Sequence, residues 1–263
     1  MVVVDDASPT DLGSTLAAFE DRLSLRWIRQ DRAGPAAARN RGARSTEAEV
    51  LAFTDDDCQP EPDWLTRMLE PLEPRGRVMV GGRTVNALAD NPWADASQAL
   101  VSYLYDYYLR SGRERMFFTS NNLALARSDF LSIGGFDEGF GFAGGEDREF
   151  CERWRRSGGE FAYAEAATVN HHHDMSGLGF VRQQFRYGRG AFLLNARKDD
   201  GLVPEVEPGA FYRGMARWPF RAPSKLQATR QFLFFGIAQV ANLTGYVAEA
   251  GQTAVGRMLD GER

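Results

Sequence analysis

Three adjacent carboxylates, Asp55, Asp56 and Asp57, close the apolar run Leu51–Ala52–Phe53–Thr54. Like charges this close repel one another, and a cation among them would remove that cost. Hard oxygen ligands suit Mg²⁺ or Mn²⁺, and in a nucleotide site such an ion also holds phosphate oxygens. The plainer alternative is an acidic turn that caps the next helix. A second pair, Asp5 and Asp6, ends the apolar run Val2–Val4. A carboxylate there could accept hydrogen bonds from a base N–H or a ribose hydroxyl, or simply belong to a polar turn. Glu146 and Asp147 open a helical segment. Asp147 could take the proton of an attacking hydroxyl, or it could stabilise the helix start. The helix dipole lowers its basicity there and the charge of Glu146 raises it. All three histidines, His171, His172 and His173, stand together at the end of an extended run. Side chains alternate along a strand, so His171 and His173 share one face, His172 takes the other, and at most two reach a common metal. They could equally form a polar strand end. Asp174 could orient an imidazole. Arg39 could offer its guanidinium to a phosphate or to these carboxylates, or lie on a solvated helix face.

The elements that must hold these groups alternate in the first half of the chain, as βαβ units do. Strands are expected at Val2–Val4, Leu23–Ile28, Val50–Thr54 and Val78–Val85. Helices are expected from a Ser8 cap with Pro9 in the first position to about Arg22, over Pro35–Glu47 and over Pro62–Leu72. Carboxylates at the ends of parallel strands face the crevice where open α/β sheets bind ligands. Further on, an aromatic-rich helix is expected at Trp93–Leu109, a turn at Ser111–Gly112, and strand-like pieces between Phe117 and Ala126. A Gly-rich loop leads into a helix over Glu146–Arg156, and a strand delivers the histidines. Trp93, Tyr103, Tyr105, Tyr107 and Tyr108 could stack on sugar rings or build core. Beyond Ser176 the chain reads as helical and Arg-rich, with Pro-punctuated links at Val203–Pro208 and Pro219–Pro223. A body over 1–197 and a helical region over 198–263 are therefore expected.

Composition narrows the class. The 263 residues are 43% hydrophobic and 25% charged, which excludes disordered, collagenous and disulfide-scaffold chains. A net charge of −5 gives no electrostatic reason for nucleic-acid binding. Cys58 and Cys151 are far apart, which indicates neither a zinc knuckle nor a disulfide framework. The start Met1–Asp6 lacks a signal-peptide pattern, so a cytoplasmic place is expected. Residues Gln231–Ala248 are uncharged, but Gln231, Gln239, Asn242 and Thr244 favour a packing or interfacial helix over a spanning one. Arg182, Arg186 and Arg189 fall on one helix face and could meet a diphosphate, an anionic lipid head or solvent.

Taken in order, the motifs resemble glycosyltransferase family 2, over roughly residues 1–190. VVVDDAS resembles the family's second strand, GPAAARNRGA its Ala-Arg-Asn helix, and LAFTDDDCQPEPDWL its metal-binding strand end. SNNLALARSDFLSIGGFDEGF and GGEDREFCERWRRSGG resemble the acceptor-side portion with its Glu-Asp motif. The resemblance implies an α/β GT-A fold with a Rossmann-like mixed sheet and a C-terminal helical appendage. It implies an inverting, metal-dependent transferase that moves a sugar from a nucleotide-diphosphate donor to a hydroxyl of a glycan or glycolipid, as in surface glycan synthesis. Asp5, Asp6, Arg39, Asp55 and Asp56 would line the donor site, and Asp57 with His171 would hold Mn²⁺ or Mg²⁺. Asp147 would be the base with Glu146 beside it, and Asn121, Asn122 and Trp93 would lie toward the acceptor. Family members carry an earlier strand and helix, so the chain reads as N-terminally truncated and Val2–Val4 is expected to have an unpaired edge. A metal-dependent nucleotidyltransferase and an inactive sugar-nucleotide-binding module are the rival classes. Peripheral contact with the inner face of a membrane through the C-terminal helix is a further expectation.

Overall fold

The structure, a computed structural model, describes residues 1–72, 76–110, 116–140, 144–196 and 207–261, with side chains to residue 254. The expected turn at 111–112, the domain boundary at 197 and most of the link at 203–208 lie outside the described residues.

Strands β1 (Val2–Asp6) and β2 (Arg26–Gln30) pair in parallel, with Val2 opposite Arg26 and Asp6 opposite Gln30. They form a two-stranded sheet of their own. Between them the expected helix from Ser8 to Arg22 shrinks to α1 (Gly13–Ala17). The cause is Asp5: its carboxylate accepts the Ser8 N–H at 2.7 Å, and Ala7 takes φ 61°, so the chain turns about Asp5 where a helix start was expected. Strand β2 accordingly begins at Arg26, and Leu23 stays exposed. Helix α2 (Pro35–Arg44) follows from Gly34 at φ 93°, with Pro35 in its first turn. Its buried face is small, Ala36, Ala37, Asn40 and Ala43, which lets the helix lie close to its neighbours.

The main sheet is mixed, with β3 (Val50–Phe53), β4 (Cys58–Pro60), β5 (Val78–Asn86), β6 (Leu123–Ala126) and β7 (Glu160–His171) in the order β3-β6-β5-β7-β4. Only β5 and β7 pair in parallel; the other three pairings are antiparallel. Helices α3 (Trp64–Leu69), α4 (Pro92–Arg110), α5 (Arg127–Ser132) and α6 (Glu146–Arg156) surround it. Two details depart from expectation. The residues after the carboxylate run form β4, with Cys58 opposite His171, an edge too short to announce itself by periodicity. Of the segment from Phe117 on, only Leu123–Ala126 is strand; Ser120–Asn122 is a 3₁₀ turn. Asn122 fixes that turn, donating to the carbonyls of Arg83 and Ala167 and accepting from the Trp64 indole.

The sheet packs on a core that includes Phe118, Phe130, Phe136, Phe150 and Trp154, all at most 2% exposed. A second core joins α4 to α7 (Gly177–Ala196), α8 (Gly209–Arg217) and α9 (Lys225–Gly261), with Phe180, Phe211, Met215 and Phe235 inside. Helices α7 and α9 meet backbone to backbone: a Cβ on Gly188 would lie 1.8 Å from the Asn242 carbonyl oxygen, so only glycine fits. The uncharged run 231–248 lies within α9. Gln231 is buried and donates to Asp95 of α4 at 2.8 Å. No helix among the described residues is long and apolar enough to cross a membrane.

Candidate active site

The carboxylate run leaves β3 and turns back at once as β4, so its three side chains diverge. Asp56 points to solvent. Asp55 receives the Arg39 guanidinium at 2.7 Å. Asp57 turns toward the histidine strand, where His171 Nε2 and His173 Nδ1 each lie 3.2 Å from its Oδ2. Those two hydrogen bonds hold its carboxyl far below the usual carboxylate range, against the opposing effect of burial. His172 faces the other way, 3.2 Å from Gln59, as strand alternation requires.

Arg39 connects this strand end to the acidic pair. It sits on α2 with its side chain mostly buried, and its second nitrogen lies 3.3 Å from Glu146. Glu146 is 4% exposed and also accepts the Gly144 N–H at 2.8 Å. Removing the guanidinium would leave that buried carboxylate without its ion-pair partner. Arg39→Ala is therefore expected to destabilise the fold by about 3 kcal/mol, measured by denaturant unfolding, whereas Arg44→Ala on the exposed side of α2 should change little.

Asp147 stands one residue further, in the first turn of α6. It is not the cap, because Gly145, at φ 107°, takes the N-cap position. Its carboxylate accepts the neighbouring Arg148 N–H at 2.8 Å. Burial first, and then the charge of Glu146, push its pKa up to about 7. Tyr187 of α7 lies near the same carboxylates; although part of its ring is exposed, desolvation of its phenol together with the charges of Asp147 and Glu146 raises its pKa and keeps it protonated. The Gly144–Gly145 turn that aims α6 presses on α7, where a Cβ on Gly190 would meet the Gly144 carbonyl oxygen at 2.0 Å.

The remaining expected residues are committed within the protein. Asp5 is 2% exposed and bound by Ser8 and by Arg29 at 2.9 Å. Asp6 accepts hydrogen bonds from Gln30 and from the Ala33 and Gly34 N–H groups, all at 2.8 Å, and so anchors the entry to α2. Burial alone would raise the Asp6 pKa, but these bonds outweigh it and lower the pKa. Asn121 is buried and accepts the Thr119 hydroxyl at 2.8 Å. Trp93 stacks on Phe234 with ring centroids 3.8 Å apart, between α4 and α9. Tyr103, Tyr105 and Tyr108 are core residues.

Two further residues stand near Asp57. His173, which alternation places on the face of His171, matches it in distance to Asp57. Cys58 lies close enough to join Asp57 and His171 in a possible metal set, with ligand atoms within 4.8 Å of one another. Spacing in sequence could not reveal it, since β4 brings it opposite His171. Burial pushes the Cys58 thiol up to about 12, and sulfur is a soft donor, so Cys58 suits a hard cation poorly. That leaves Asp57 and His171, a carboxylate and an imidazole, as the donors close enough to share an ion. That set fits Mn²⁺, which accepts nitrogen, better than Mg²⁺, which favours oxygen.

A mixed sheet whose strand ends gather carboxylates, with an acidic helix start and a histidine strand closing the same cleft, defines a protein with the GT-A glycosyltransferase fold. Solved structures agree on the fold. A mannosyltransferase from Pyrobaculum calidifontis in complex with GDP-Man and Mn²⁺ superposes with a TM-score of 0.54 at 19% identity, over 98% of this chain and 70% of that one. GalNAc-T7 with UDP, GalNAc and Mn²⁺ gives 0.52 at 14% identity, over 82% and 48%. The chain belongs to glycosyl transferase family 2, whose model matches residues 1–136; a model of the N-terminal domain of galactosyltransferase matches residues 102–174. The pre-mycofactocin glycosyltransferase of Mycobacterium tuberculosis is 30% identical over 217 residues, covering 80% of this chain and 45% of that protein. The chondroitin synthase of Escherichia coli is 26% identical over 204 residues, covering 65% and 30%. The chain thus spans less than half the length of these curated relatives.

Proposed function

We propose that this protein transfers a sugar from a nucleotide-diphosphate donor to an acceptor hydroxyl, with inversion at the anomeric carbon and with Mn²⁺ as the preferred cation. The observation that carries the reading is the Asp55–Arg39–Glu146 bridge, because it joins the Asp57–histidine cluster and Asp147 into one cleft. Asp57 and His171 would hold the cation, with His173 hydrogen-bonded to Asp57 beside them. A divalent ion held there supplies a Lewis acid that neutralises the departing diphosphate.

Asp147 does the proton work. Ionised above about pH 7, its carboxylate takes the proton of the acceptor hydroxyl as that oxygen attacks the anomeric carbon. Glu146 and Arg39 hold it in place: the first keeps its proton affinity high, and the second fixes the distance between helix start and strand end. Asp6 shapes the donor side by holding the loop before α2, and Asp5 by holding the turn at Ser8 and the Arg29 guanidinium. Direct displacement of the diphosphate by the hydroxyl inverts the configuration. The nucleotide-bound neighbours, one with GDP-Man and one with UDP, support a nucleotide donor without selecting its base. The polysaccharide synthases among the relatives support a glycan or glycolipid acceptor.

The test is a panel of nucleotide sugars incubated with Mn²⁺ and candidate acceptors, with release of nucleoside diphosphate as the readout and product configuration read by proton NMR. One donor should be consumed, chelation should stop release, and the product should carry the opposite anomer. Release that survives chelation, or a retained anomer, would overturn the mechanism.

A further inference from the structure

We infer that the outer face of α7 and α9 docks on an anionic lipid surface, lying on the bilayer without entering it as a span. Along α9, Leu226, Leu233, Ile237, Val240, Thr244 and Val247 follow the spacing i, i+7, i+11, i+14, i+18, i+21, which places them on one helix face. That face is open: Leu226 is 60% exposed, Leu233 57%, Val240 68% and Val247 61%. Beside it on α7, Leu178 is 59% and Val181 37% exposed. The two helices leave an apolar groove between them, lined by Val181, Phe185, Gly236, Ile237, Val240 and Thr244. Continuous exposed apolar surface of this extent marks an interaction site.

Charge selects the occupant. The chain as a whole is net negative at −5, yet residues 177–196 and 209–248 carry eight basic side chains and no acidic one. Of the acids next to them, Glu207 accepts the Tyr108 hydroxyl, and Glu249 is buried and paired with Arg189. Arg182, Arg186 and Arg230 are exposed; Arg182 follows Leu178 by four positions and Arg230 follows Leu226 by four, so positive charge borders the apolar strips on the same side of each helix. An amphipathic, basic, uninterrupted face of this kind matches the interfacial layer of an anionic membrane, where each Lys or Arg near the surface adds attraction and the apolar side chains enter the headgroup boundary. The absence of a spanning helix among the described residues agrees with lying on the surface.

The experiment is co-sedimentation of the full chain with vesicles of phosphatidylcholine alone and of phosphatidylcholine with an equal part of phosphatidylglycerol. Binding should be at least roughly tenfold stronger to the anionic vesicles and should weaken with salt. Val240→Asp with Leu243→Asp should reduce it at least roughly tenfold while circular dichroism stays unchanged, since both side chains are more than half exposed. Arg182→Glu with Arg186→Glu should do the same and flatten the salt dependence. Failure to sediment with either vesicle, or binding untouched by the apolar variant, would overturn the inference. So would a dimer in light scattering that the apolar variant dissolves, without vesicle binding, because the face would then cover a second copy of the chain.

Discussion

Asp147→Asn is expected to lower the rate of sugar transfer by roughly 10²–10⁴-fold, the range that a lost general base commands. The wild-type rate should rise between pH 6 and 8 with a midpoint near 7, as Asp147 gives up its proton, and the variant should lack that limb. Stability should move the other way. The folded-state pKa of Asp147 is raised above its unfolded value, so the stability linked to its proton is fully present below pH 4 and is lost as pH rises through about 7. Asparagine imitates the neutral acid. The variant should therefore match the wild type at low pH and exceed it at pH 8, by on the order of 1–2 kcal/mol once the remaining solvent exposure of the side chain is allowed for, or a few degrees in Tm. A residue that merely supports the helix would show no paired gain in stability and loss of activity. Thermal scans at the two pH values, run beside the rate profile, separate the cases.

Asp57→Ala carries the second large effect. Asp57 is the one carboxylate on which His171 and His173 converge, and its loss removes the only strong anion of the proposed cation set. Lewis-acid stabilisation of a leaving diphosphate is worth several kcal/mol, so transfer should fall by about 100-fold or more and the Mn²⁺ concentration for half-maximal rate should rise. His172→Ala, which alters the neighbouring ring on the opposite face, should change the rate less than about twofold, as exposed polar substitutions away from a site usually do. Mn²⁺ titrations of the three proteins under saturating donor measure both effects. Equal losses at His172 and Asp57 would mean that the histidine strand acts as a structural unit.

Much of this cleft was legible in the residues themselves. The apolar run before Asp55, the acidic start of α6 and the clustered histidines are each strong local signals, and alternation carried on past the end of β7 pairs His171 with His173 against His172. Local signals failed where a side chain overrode the backbone pattern. Ser8 and Pro9 look like a helix start, yet the Asp5 carboxylate captures the Ser8 N–H and bends the chain into a turn. The three residues of β4 are too few for any period to register, so the place of Cys58 beside His171 is a product of strand pairing alone. Arg39 was expected to meet a phosphate or the carboxylates, but the sequence could not say which, and only the fold shows it joining Asp55 and Glu146, 16 and 107 positions away. Trp93 and the α4 tyrosines were ambiguous between sugar stacking and core, and packing against α8 and α9 absorbed most of them.

The central claim is that one cleft combines a cation held by Asp57 with a proton acceptor at Asp147. Nucleoside diphosphate release from the preferred donor, measured with Mn²⁺ and acceptor for the wild type, Asp57→Ala and Asp147→Asn in parallel, tests it most directly. The account predicts steady release by the wild type and loss in both variants, with added Mn²⁺ partly restoring Asp57→Ala and leaving Asp147→Asn inactive. Release that continues unchanged in both variants would contradict it.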